Sequence, residues 1–395
     1  MNVELEAAGG SRRAVLPPRV LVDSRDLGFI LLSFLTSRLL IALCGFLSAR
    51  HFHAGPLLDA MCRWDCSWYQ TLFERGYDLA PNFGPGGPTS PHAHVRGDAA
   101  NWVFFPLYPI AVRLMAQLSG LAPLLCGYLI SSAAFLGALY FLFSYTRRIS
   151  TRQTARFTVL ATALAPWSLY FAVPYAEVLY LFLMLMTLDC ALSCRWIMAG
   201  LAVAALSATR NLGVLTAVPL LFIAVQQYGW RSLFSLRAET RSAWLAMMLA
   251  PLGLALFMLF LYGRVGDALA FMHLQRAWGR HMGNPLLVEY DALFSGQPEM
   301  VYFAISPLLG LCATLYLLRK GRMIEVFILA SGILIPLSTV VYSMPRYILT
   351  LYPISLALGL ATEGRPTLRR AVLAVFAGLL ILAVRFWVMD QEFMQ

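Results

Sequence analysis

Five short motifs in this sequence combine carboxylates or arginines with aromatic rings, and long apolar stretches separate them. They are Arg63-Trp64-Asp65-Cys66-Ser67-Trp68-Tyr69, Asn101-Trp102-Val103-Phe104-Phe105-Pro106-Leu107-Tyr108-Pro109, Pro174-Tyr175-Ala176-Glu177, Thr209-Arg210-Asn211 and Met344-Pro345-Arg346-Tyr347. A positioned carboxylate can accept a proton, and a guanidinium can bind phosphate through two parallel hydrogen bonds. Charged groups at the edge of a membrane segment are costly to place, so the motifs indicate a functional site.

Asp65 is the candidate catalytic residue. Trp64, Trp68 and Tyr69 lie within four residues of it. Flat aromatic rings pack on sugar faces, and a partly desolvated aspartate can act as a general base toward a hydroxyl group. The alternative is a belt of interfacial aromatic residues with an incidental acid. We favour a general base, with the three aromatic residues contacting a sugar or its acceptor.

Glu177 and Tyr347 are further candidates for binding the sugar or the acceptor. Glu177 begins a predicted helix, where the helix dipole stabilises a carboxylate and could alone explain the residue. Its expected position on the same side of the membrane as Asp65 favours a role in the site. Tyr347 follows Arg346 at another predicted helix start.

Three arginines are predicted to bind the phosphate of a lipid-linked donor. Arg210 lies between two short apolar runs, and Arg346 follows a proline. A guanidinium near membrane depth needs an anionic partner, either a phosphate or an acidic side chain. Arg276, with Arg280 close by in sequence, adds positive charge to the same side. Such cations would stabilise a departing phosphate.

The sequence gives little support for a metal or a cofactor. His92 and His94 form only a weak metal pattern in a stretch rich in glycine and proline, so we predict no metal site. A divalent cation is conceivable but has no support. Cys62 and Cys66 could form a metal pair or a disulfide. We favour two small hydrophobic residues, because no second cysteine pair completes a zinc site.

The elements that must position these motifs are membrane helices. The chain has 395 residues, 59% of them hydrophobic and 13% charged, with a mean hydropathy of +0.69. A soluble domain carries about 25% charged residues. Apolar segments of about 20 residues can cross a bilayer, and we predict a single all-α polytopic domain, 1–395, with about 11 transmembrane helices. The segments are 27–48, 124–145, 154–173, 175–194, 196–208, 212–225, 243–263, 300–318, 323–342, 348–361 and 371–389.

The arginines predict how these helices are oriented. The net charge of +10 is almost entirely arginine, and the clusters lie at alternate segment ends. Cytoplasmic loops are enriched in basic residues, so we place the N-terminus in the cytoplasm and all five motifs outside. The outer loops are then 49–123, which would carry the catalytic motif, and 264–299. Residues 104–119 are predicted to form an interfacial helix. Topology and anionic lipid explain the charge, so no nucleic-acid binding is inferred.

Taken in order, the motifs resemble the PIG-V family of membrane mannosyltransferases. The matching residues are Trp64-Asp65 with Gly76-Tyr77, Phe104 to Pro109, Pro174 to Glu177, Thr209-Arg210 and Pro345-Arg346-Tyr347. The resemblance covers residues 63–353 and implies a GT-C-type helical bundle that uses polyprenyl-phosphate sugars on the non-cytoplasmic face. It maps the catalytic acid of the first outer loop onto Asp65. The sequence departs from the family pattern at Asn211, where proline is common, and at Cys66, where glycine or serine is frequent.

The resulting hypothesis is an inverting glycosyltransferase with a polyprenyl-phosphate sugar donor. It would move one sugar, with mannose expected from the resemblance, to a lipid-linked or surface-glycan acceptor. Arginine-rich and lysine-poor composition favours a bacterial inner membrane, with the active site facing the periplasm and the protein a monomer. The alternatives are a flippase or other transporter of lipid-linked sugars, a non-catalytic lipid-binding partner, and an O-antigen ligase-like transferase. Transport is disfavoured because no internal repeat is visible and the ionisable residues gather at one face.

Overall fold

The structure is a computed structural model that describes residues 22–82, 99–235 and 237–394. His92 and His94, the weak metal candidates, lie outside the described residues. So do Arg12, Arg13 and Arg19, which precede the first predicted apolar segment.

The described residues form nineteen α-helices and five short 3-10 helices. The α-helices are α1 (Ser24–His51), α2 (Leu57–Met61), α3 (Asp65–Arg75), α4 (Leu107–Ser119), α5 (Pro123–Ile149), α6 (Arg152–Leu164), α7 (Ala176–Leu192), α8 (Trp196–Ser207), α9 (Ala217–Tyr228), α10 (Trp230–Phe234), α11 (Ala238–Leu249), α12 (Leu252–Val265), α13 (Ala270–His273), α14 (Pro285–Leu293), α15 (Pro298–Arg319), α16 (Met323–Leu337), α17 (Met344–Leu349), α18 (Tyr352–Ala361) and α19 (Pro366–Val388). The 3-10 helices are Asn101–Val103, Pro166–Phe171, Asn211–Thr216, Leu274–Trp278 and Glu392–Met394.

The predicted all-α membrane fold is confirmed. Each of the eleven predicted apolar segments overlaps at least one of these helices. Within the described ranges, six helical stretches are long and apolar enough to cross a membrane, and three shorter apolar helices accompany them. The six are Ser24–His51, Pro123–Ile149, Asn211–Tyr228, Thr240–Val265, Pro298–Arg319 and Pro366–Val388. Extended pairing in the same ranges is limited to an isolated bridge between Asn82 and Ala99.

The first helix shows how the bundle meets its surroundings. The buried face of α1 includes Ile30, Ser37 and Ile41, which recur at helical spacing. Its opposite face exposes large leucines, among them Leu32 and Leu39. An exposed apolar face of this size is unfavourable in water and typical of contact with lipid. One face of α1 therefore packs against the rest of the bundle, and the opposite face exposes apolar side chains suited to contact with lipid.

The helix termini gather at two ends of the bundle. Arg152 at the start of α6 binds Asp23 and Asp26 at the start of α1, and Arg148 near the end of α5 binds Asp189 near the end of α7. We call this group, with Arg156, the basic-end cluster. At the other end of the bundle, near the end of α19, Trp387 donates its indole N–H to the carbonyl of Met61, the last residue of α2. Arg322 and Arg369, which follow later predicted segments, donate to the Ile149 carbonyl and the Thr154 hydroxyl at the basic end, and Asp65 lies at the other end.

Small residues allow close helix packing beneath the candidate site. A Cβ added at Gly200 in α8 would lie 3.0 Å from the Ala246 Cα of α11. One added at Gly253 in α12 would collide with the Ala204 carbonyl of α8. Small residues are enriched at membrane helix interfaces because they let backbones approach closely. This packing fixes the end of α8, from which Thr209 and Arg210 emerge.

The predicted interfacial segment forms helix α4. Pro106 precedes it, and the Leu107 backbone N–H donates to the Ala208 carbonyl at the end of α8. The helix buries Tyr108 and exposes Leu114 and Leu118. This two-sided character is what the interfacial prediction requires, and the placement of α4 at the membrane surface stays a prediction.

Candidate active site

One cavity at the Asp65 end of the bundle is lined by residues from all five motifs. Its volume is about 440 Å³. Its lining includes Trp64, Asp65, Trp68, Tyr69, Phe104, Phe105, Ala176, Glu177, Thr209, Arg210, Asn211, Arg346 and Tyr347 from the motifs. The other lining residues include Gln275, Trp278, Arg280, Ser338 and Thr339. Residues up to 283 positions apart in sequence therefore face a single space.

Two carboxylates and two guanidiniums alternate along the cavity wall. Arg346 Nη1 lies 2.7 Å from Asp65 Oδ2, and Arg346 Nε lies 3.2 Å from Glu177 Oε1. Arg210 Nη1 lies 3.5 Å from the same Glu177 oxygen. Opposite charges at this spacing compensate for desolvation that would otherwise be costly for each group. The acidic residues and arginines of four separate motifs thus form one network.

The two carboxylates differ in accessibility. The Asp65 side chain is 26% exposed, whereas that of Glu177 is 6% exposed. One oxygen of Glu177 lies between two arginines. Asp65 has one ion-paired oxygen, and its side chain is accessible from the cavity. A general base must come within hydrogen-bond reach of its substrate. Asp65 therefore suits that role better than Glu177.

The segment that carries Asp65 is held from several directions. The Asp65 backbone N–H donates to the Tyr175 hydroxyl, which donates in turn to the Arg63 carbonyl. Trp64, between them, has a left-handed φ of +52°. Such a backbone conformation is unusual for a tryptophan and costs about 1–3 kcal/mol, so surrounding contacts must maintain it.

A disulfide joins Cys62 to Cys66 around this segment. The prediction that the two cysteines are independent small hydrophobic residues is therefore wrong. The reason is geometric: Cys62 caps the end of α2 and Cys66 lies in the first turn of α3, and the sharp turn at Trp64 folds one toward the other. The spacing alone was compatible with this pairing, but only the turn brings the sulfur atoms together.

The aromatic residues predicted to contact a sugar form part of the cavity wall. Trp68 stacks on Phe104 with ring centroids 6.0 Å apart, and its ring lies 5.4 Å from that of Trp278. Tyr69 packs edge-on against Phe104 at 5.0 Å. Burial, followed by the charges of Glu177 and Asp65, holds the pKa of Tyr69 well above its ordinary value, so its phenol stays neutral. Trp278, which the sequence reasoning did not single out, completes this wall.

A turn after α3 fixes the Phe104 side of the cavity. The Asn101 side chain accepts from the Asp78 backbone N–H and donates to the Gly76 carbonyl, and Asp78 accepts from the Asn101 backbone N–H. The Tyr77 hydroxyl donates to the Phe104 carbonyl at 2.6 Å. Gly76 has a φ of +82°, a conformation that favours glycine. The Gly76-Tyr77 pair thus has a structural function in positioning Phe104.

Tyr347 lies among three arginines. Its hydroxyl oxygen accepts from Arg280 Nη2 at 2.7 Å and from Arg346 Nη2 at 3.3 Å. The Arg210 guanidinium lies 4.7 Å from the ring centroid. Burial alone would raise the pKa of Tyr347, but the charges of Arg280, Arg346 and Arg210 outweigh it and lower the pKa to about 8. The phenol therefore ionises closer to neutral pH than an ordinary tyrosine.

Arg280 occupies a position in the site that was predicted for Arg276. Arg280 lines the cavity, and Arg276 is an exposed residue outside the lining. The 3-10 helix Leu274–Trp278 and the left-handed Gly279 after it separate the directions of the two side chains. Sequence proximity could not distinguish them, because it does not determine which way a short irregular loop turns. Phosphate binding by Arg276 stays a prediction without support from the cavity.

Arg38 is a half-buried cation that the sequence patterns did not single out. It lies within α1 and donates to the Phe171 and Ser168 carbonyls at the end of the 3-10 helix Pro166–Phe171. Its guanidinium also lies 4.2 Å from the Phe135 ring centroid. Carbonyls at the end of a helical turn attract positive charge. Arg38 thereby anchors the segment that leads into Tyr175 and Glu177.

The described residues contain no group of three histidine, cysteine, aspartate or glutamate side chains arranged to hold a metal ion. This finding does not test the prediction that the protein has no metal site.

No protein-family model matches the sequence, and no curated protein matches it. Among solved structures, the fold is similar to that of ArnT from Cupriavidus metallidurans. The ArnT structure bound to undecaprenyl phosphate has a TM-score of 0.55 at 15% identity, covering 93% of this chain and 77% of that chain. The apo structure of ArnT has a TM-score of 0.54 at 14% identity, covering 94% and 78%. The predicted GT-C-type fold is therefore confirmed, and the narrower assignment to PIG-V stays a prediction.

Proposed function

We propose that this protein is a membrane glycosyltransferase that takes a sugar from a polyprenyl-phosphate donor. The observation that carries the proposal is the cavity in which Asp65, paired with Arg346, stands beside an aromatic wall and several arginines. ArnT, whose fold this chain shares, was solved with undecaprenyl phosphate, and this supports the same class of lipid carrier here.

Asp65 would act as the general base. In the proposed step, the acceptor oxygen attacks the anomeric carbon while Asp65 takes the hydroxyl proton. The bond from that carbon to the phosphate oxygen breaks, and its electron pair leaves with the polyprenyl phosphate. Attack opposite the leaving group inverts the anomeric configuration in one step, as in hydrolases that use one carboxylate as base. The partial exposure of Asp65 to the cavity supports this assignment.

The arginines would bind and stabilise the leaving phosphate. Arg210 and Arg346 were predicted for this function, and both line the cavity. We add Arg280 because it lines the same space and already donates to an oxygen, the Tyr347 hydroxyl. A fixed guanidinium directed at developing negative charge lowers the barrier without reorganisation. Arg346 would also orient Asp65 and Glu177, since it contacts both carboxylates.

The sugar would lie against Trp64, Trp68 and Tyr69, with Glu177 and Tyr347 near the sugar or acceptor. The Trp64 indole nitrogen is buried and has no hydrogen-bond partner among the described residues. A buried donor normally finds a partner, and a sugar hydroxyl would provide one. We propose mannose as the sugar on the basis of the PIG-V resemblance, and a lipid or surface glycan as the acceptor.

We further propose that the cavity opens on the non-cytoplasmic side of a bacterial inner membrane, within the outer loops 49–123 and 264–299. Two observations support this orientation. The arginines that the positive-inside rule assigns to the cytoplasm gather at the opposite end. The Cys62–Cys66 disulfide lies at the cavity end, and disulfides persist in oxidising compartments.

Mass spectrometry of glycolipids and surface glycans would test this function. The strains to compare carry the intact protein, a deletion, Asp65→Asn or Asp189→Asn, the last being a matched acid in the basic-end cluster. We expect the deletion and Asp65→Asn to remove one hexose from the same molecule, and Asp189→Asn to retain it in proportion to the amount of protein. A normal glycan with well-folded Asp65→Asn protein would contradict the proposed base.

The same experiment separates the rival functions. Loss of a whole glycan rather than one sugar would indicate an O-antigen ligase-like transferase. A glycan change on deletion but not with Asp65→Asn would indicate transport or a binding partner. Incubation of purified protein with polyprenyl-phosphate mannose and acceptor lipid extract would then identify the donor, and NMR of the product would show whether the configuration inverts.

A further inference from the structure

Asp65 lies inside a covalently closed ring. The Cys62–Cys66 disulfide encloses Arg63, Trp64 and Asp65, and the Cys66 side chain is fully buried. The first half of this ring is firmly attached to α19: Arg63 Nη2 donates to the Val388 carbonyl at 3.1 Å.

The disulfide connects this anchored segment covalently to α3. The other links between α3 and the anchored part of the chain are non-covalent or pass through the left-handed backbone of Trp64: the Cys66 N–H donates to the Arg63 carbonyl, and the Asp65 N–H donates to Tyr175. With the disulfide, the first turn of α3 is tied directly to the end of α2. Asp65 immediately precedes Cys66, so its position relative to Arg346 depends on this link.

We propose that the Cys62–Cys66 disulfide positions Asp65, and that its formation on the outside of the membrane is a required step in completing the active site. The function of Asp65 rests on the proposed glycosyl transfer, but the disulfide itself does not.

The covalent step is an ordinary thiol oxidation. The two thiols lose two protons and two electrons, one S–S bond forms, and a disulfide-bearing oxidant is reduced to its dithiol. A dithiol reductant such as dithiothreitol reverses the step: it restores both protein thiols and becomes a cyclic disulfide. Cys62 is partly accessible, so its sulfur is the one that a reductant would attack.

Thiol trapping tests the bond independently of activity. The purified protein is alkylated in detergent before and after dithiothreitol treatment, digested with trypsin and analysed by mass spectrometry. Because trypsin cleaves after Arg63, between the two cysteines, the disulfide will appear as two linked peptides that separate on reduction. Free, alkylated Cys62 and Cys66 in protein isolated without reductant would overturn the proposal.

Activity measurements test the positioning. We expect Cys62→Ser, Cys66→Ser and the double variant to lower transfer about ten- to a hundredfold, because displacing a catalytic group by about 1 Å can cost a factor of 100. Dithiothreitol should lower wild-type activity to the same level, and glutathione disulfide should restore it. The double variant should not respond. Cys312→Ser, which removes an exposed free cysteine, should behave as wild type.

A double-mutant cycle distinguishes positioning of Asp65 from a general structural effect. If the disulfide acts through Asp65, removing it in the Asp65→Asn background should cost little further residual activity. An additive loss, or full wild-type activity with the bond verifiably reduced, would overturn the proposal. If wild-type protein forms the disulfide but transfers no sugar, the proposed function fails instead, and the trapping result remains valid.

Discussion

The two ends of the helix bundle hold similar residues in different surroundings. In the basic-end cluster, Asp26 forms ion pairs with Arg152 and Arg156, each at 2.8 Å. Asp189 forms an ion pair with Arg148 at 3.0 Å. At the cavity end, Asp65 and Glu177 share Arg346. The Asp26 side chain is 6% exposed, whereas that of Asp65 is 26% exposed and faces a cavity.

This difference shows that residue type alone does not distinguish a carboxylate that faces a cavity from one that is enclosed in ion pairs. The basic-end pairs join the termini of α1, α5, α6 and α7 to one another. The cavity pairs leave room beside the charges for another molecule and place aromatic rings around that room. We therefore expect equivalent substitutions at the two ends to have different effects on activity.

The largest expected difference is between Asp65→Asn and Asp26→Asn. Loss of a general base typically costs a factor of about 10²–10⁴, so Asp65→Asn should reduce kcat by that amount with little change in folded yield. Asp26→Asn should lower thermal stability while keeping the activity per folded molecule. A quantitative transfer assay with purified protein checks both. Equal losses of activity from the two variants would remove the functional distinction between the ends.

Substituting one arginine at each end should separate stability from catalysis. Arg346→Met would leave Asp65 without its ion-pair partner and Glu177 with Arg210 alone, whereas Arg148→Met would leave Asp189 with its hydrogen bond from Ser144. Breaking a buried pair in this way costs about 3–5 kcal/mol of folding free energy, so both variants should be less stable. Only Arg346→Met should abolish transfer by the folded fraction. Thermal unfolding in nanodiscs and a transfer assay provide the two measurements.

Arg280 and Arg276 form a matched pair within one loop. Arg280→Gln should raise the donor KM about ten- to a hundredfold, because a hydrogen bond to a charged group contributes about 1.5–3 kcal/mol. Arg276→Gln should change it by less than about twofold, as expected for an exposed residue outside the lining. Titration of the donor at a saturating acceptor concentration measures the donor KM of both variants. The reverse ranking would support the sequence-based choice of Arg276.

The smallest expected effect is a pH dependence that arises from Tyr347. Its pKa, lowered to about 8, means that a neutral phenol below that pH becomes a phenolate above it. A phenolate competes with the donor phosphate for Arg280 and Arg346, so the donor KM should rise several-fold between pH 7 and pH 9. In Tyr347→Phe this rise should be absent. An unchanged pH profile in that variant would assign the effect to another group.

Much of the fold follows from sequence patterns because their physical cause is local. Apolar runs of membrane length and the distribution of arginines predicted eleven segments and two chemically different ends. Proline also has a local effect: Pro166 ends α6 early and produces a 3-10 helix before Glu177. Asp65, Glu177, Arg210 and Arg346 could all be chosen from their types and positions near segment ends.

The pairing of these residues could not be predicted, because it depends on helix rotation and on the path of irregular loops. The shared Glu177 oxygen, the disulfide across Trp64, the choice of Arg280 over Arg276 and the carbonyl contacts of Arg38 all belong to this class. None has a signal in local composition.

The sequence by itself determined that this is a polytopic helical protein with its candidate chemistry at one end, because hydrophobic length and charge act on each segment separately. Only the tertiary structure decided that the Asp65 carboxylate is accessible from the cavity and that the Glu177 carboxylate is enclosed between two arginines. That distinction arises from side chains brought together across hundreds of residues, where packing and charge compensation act on the whole bundle at once.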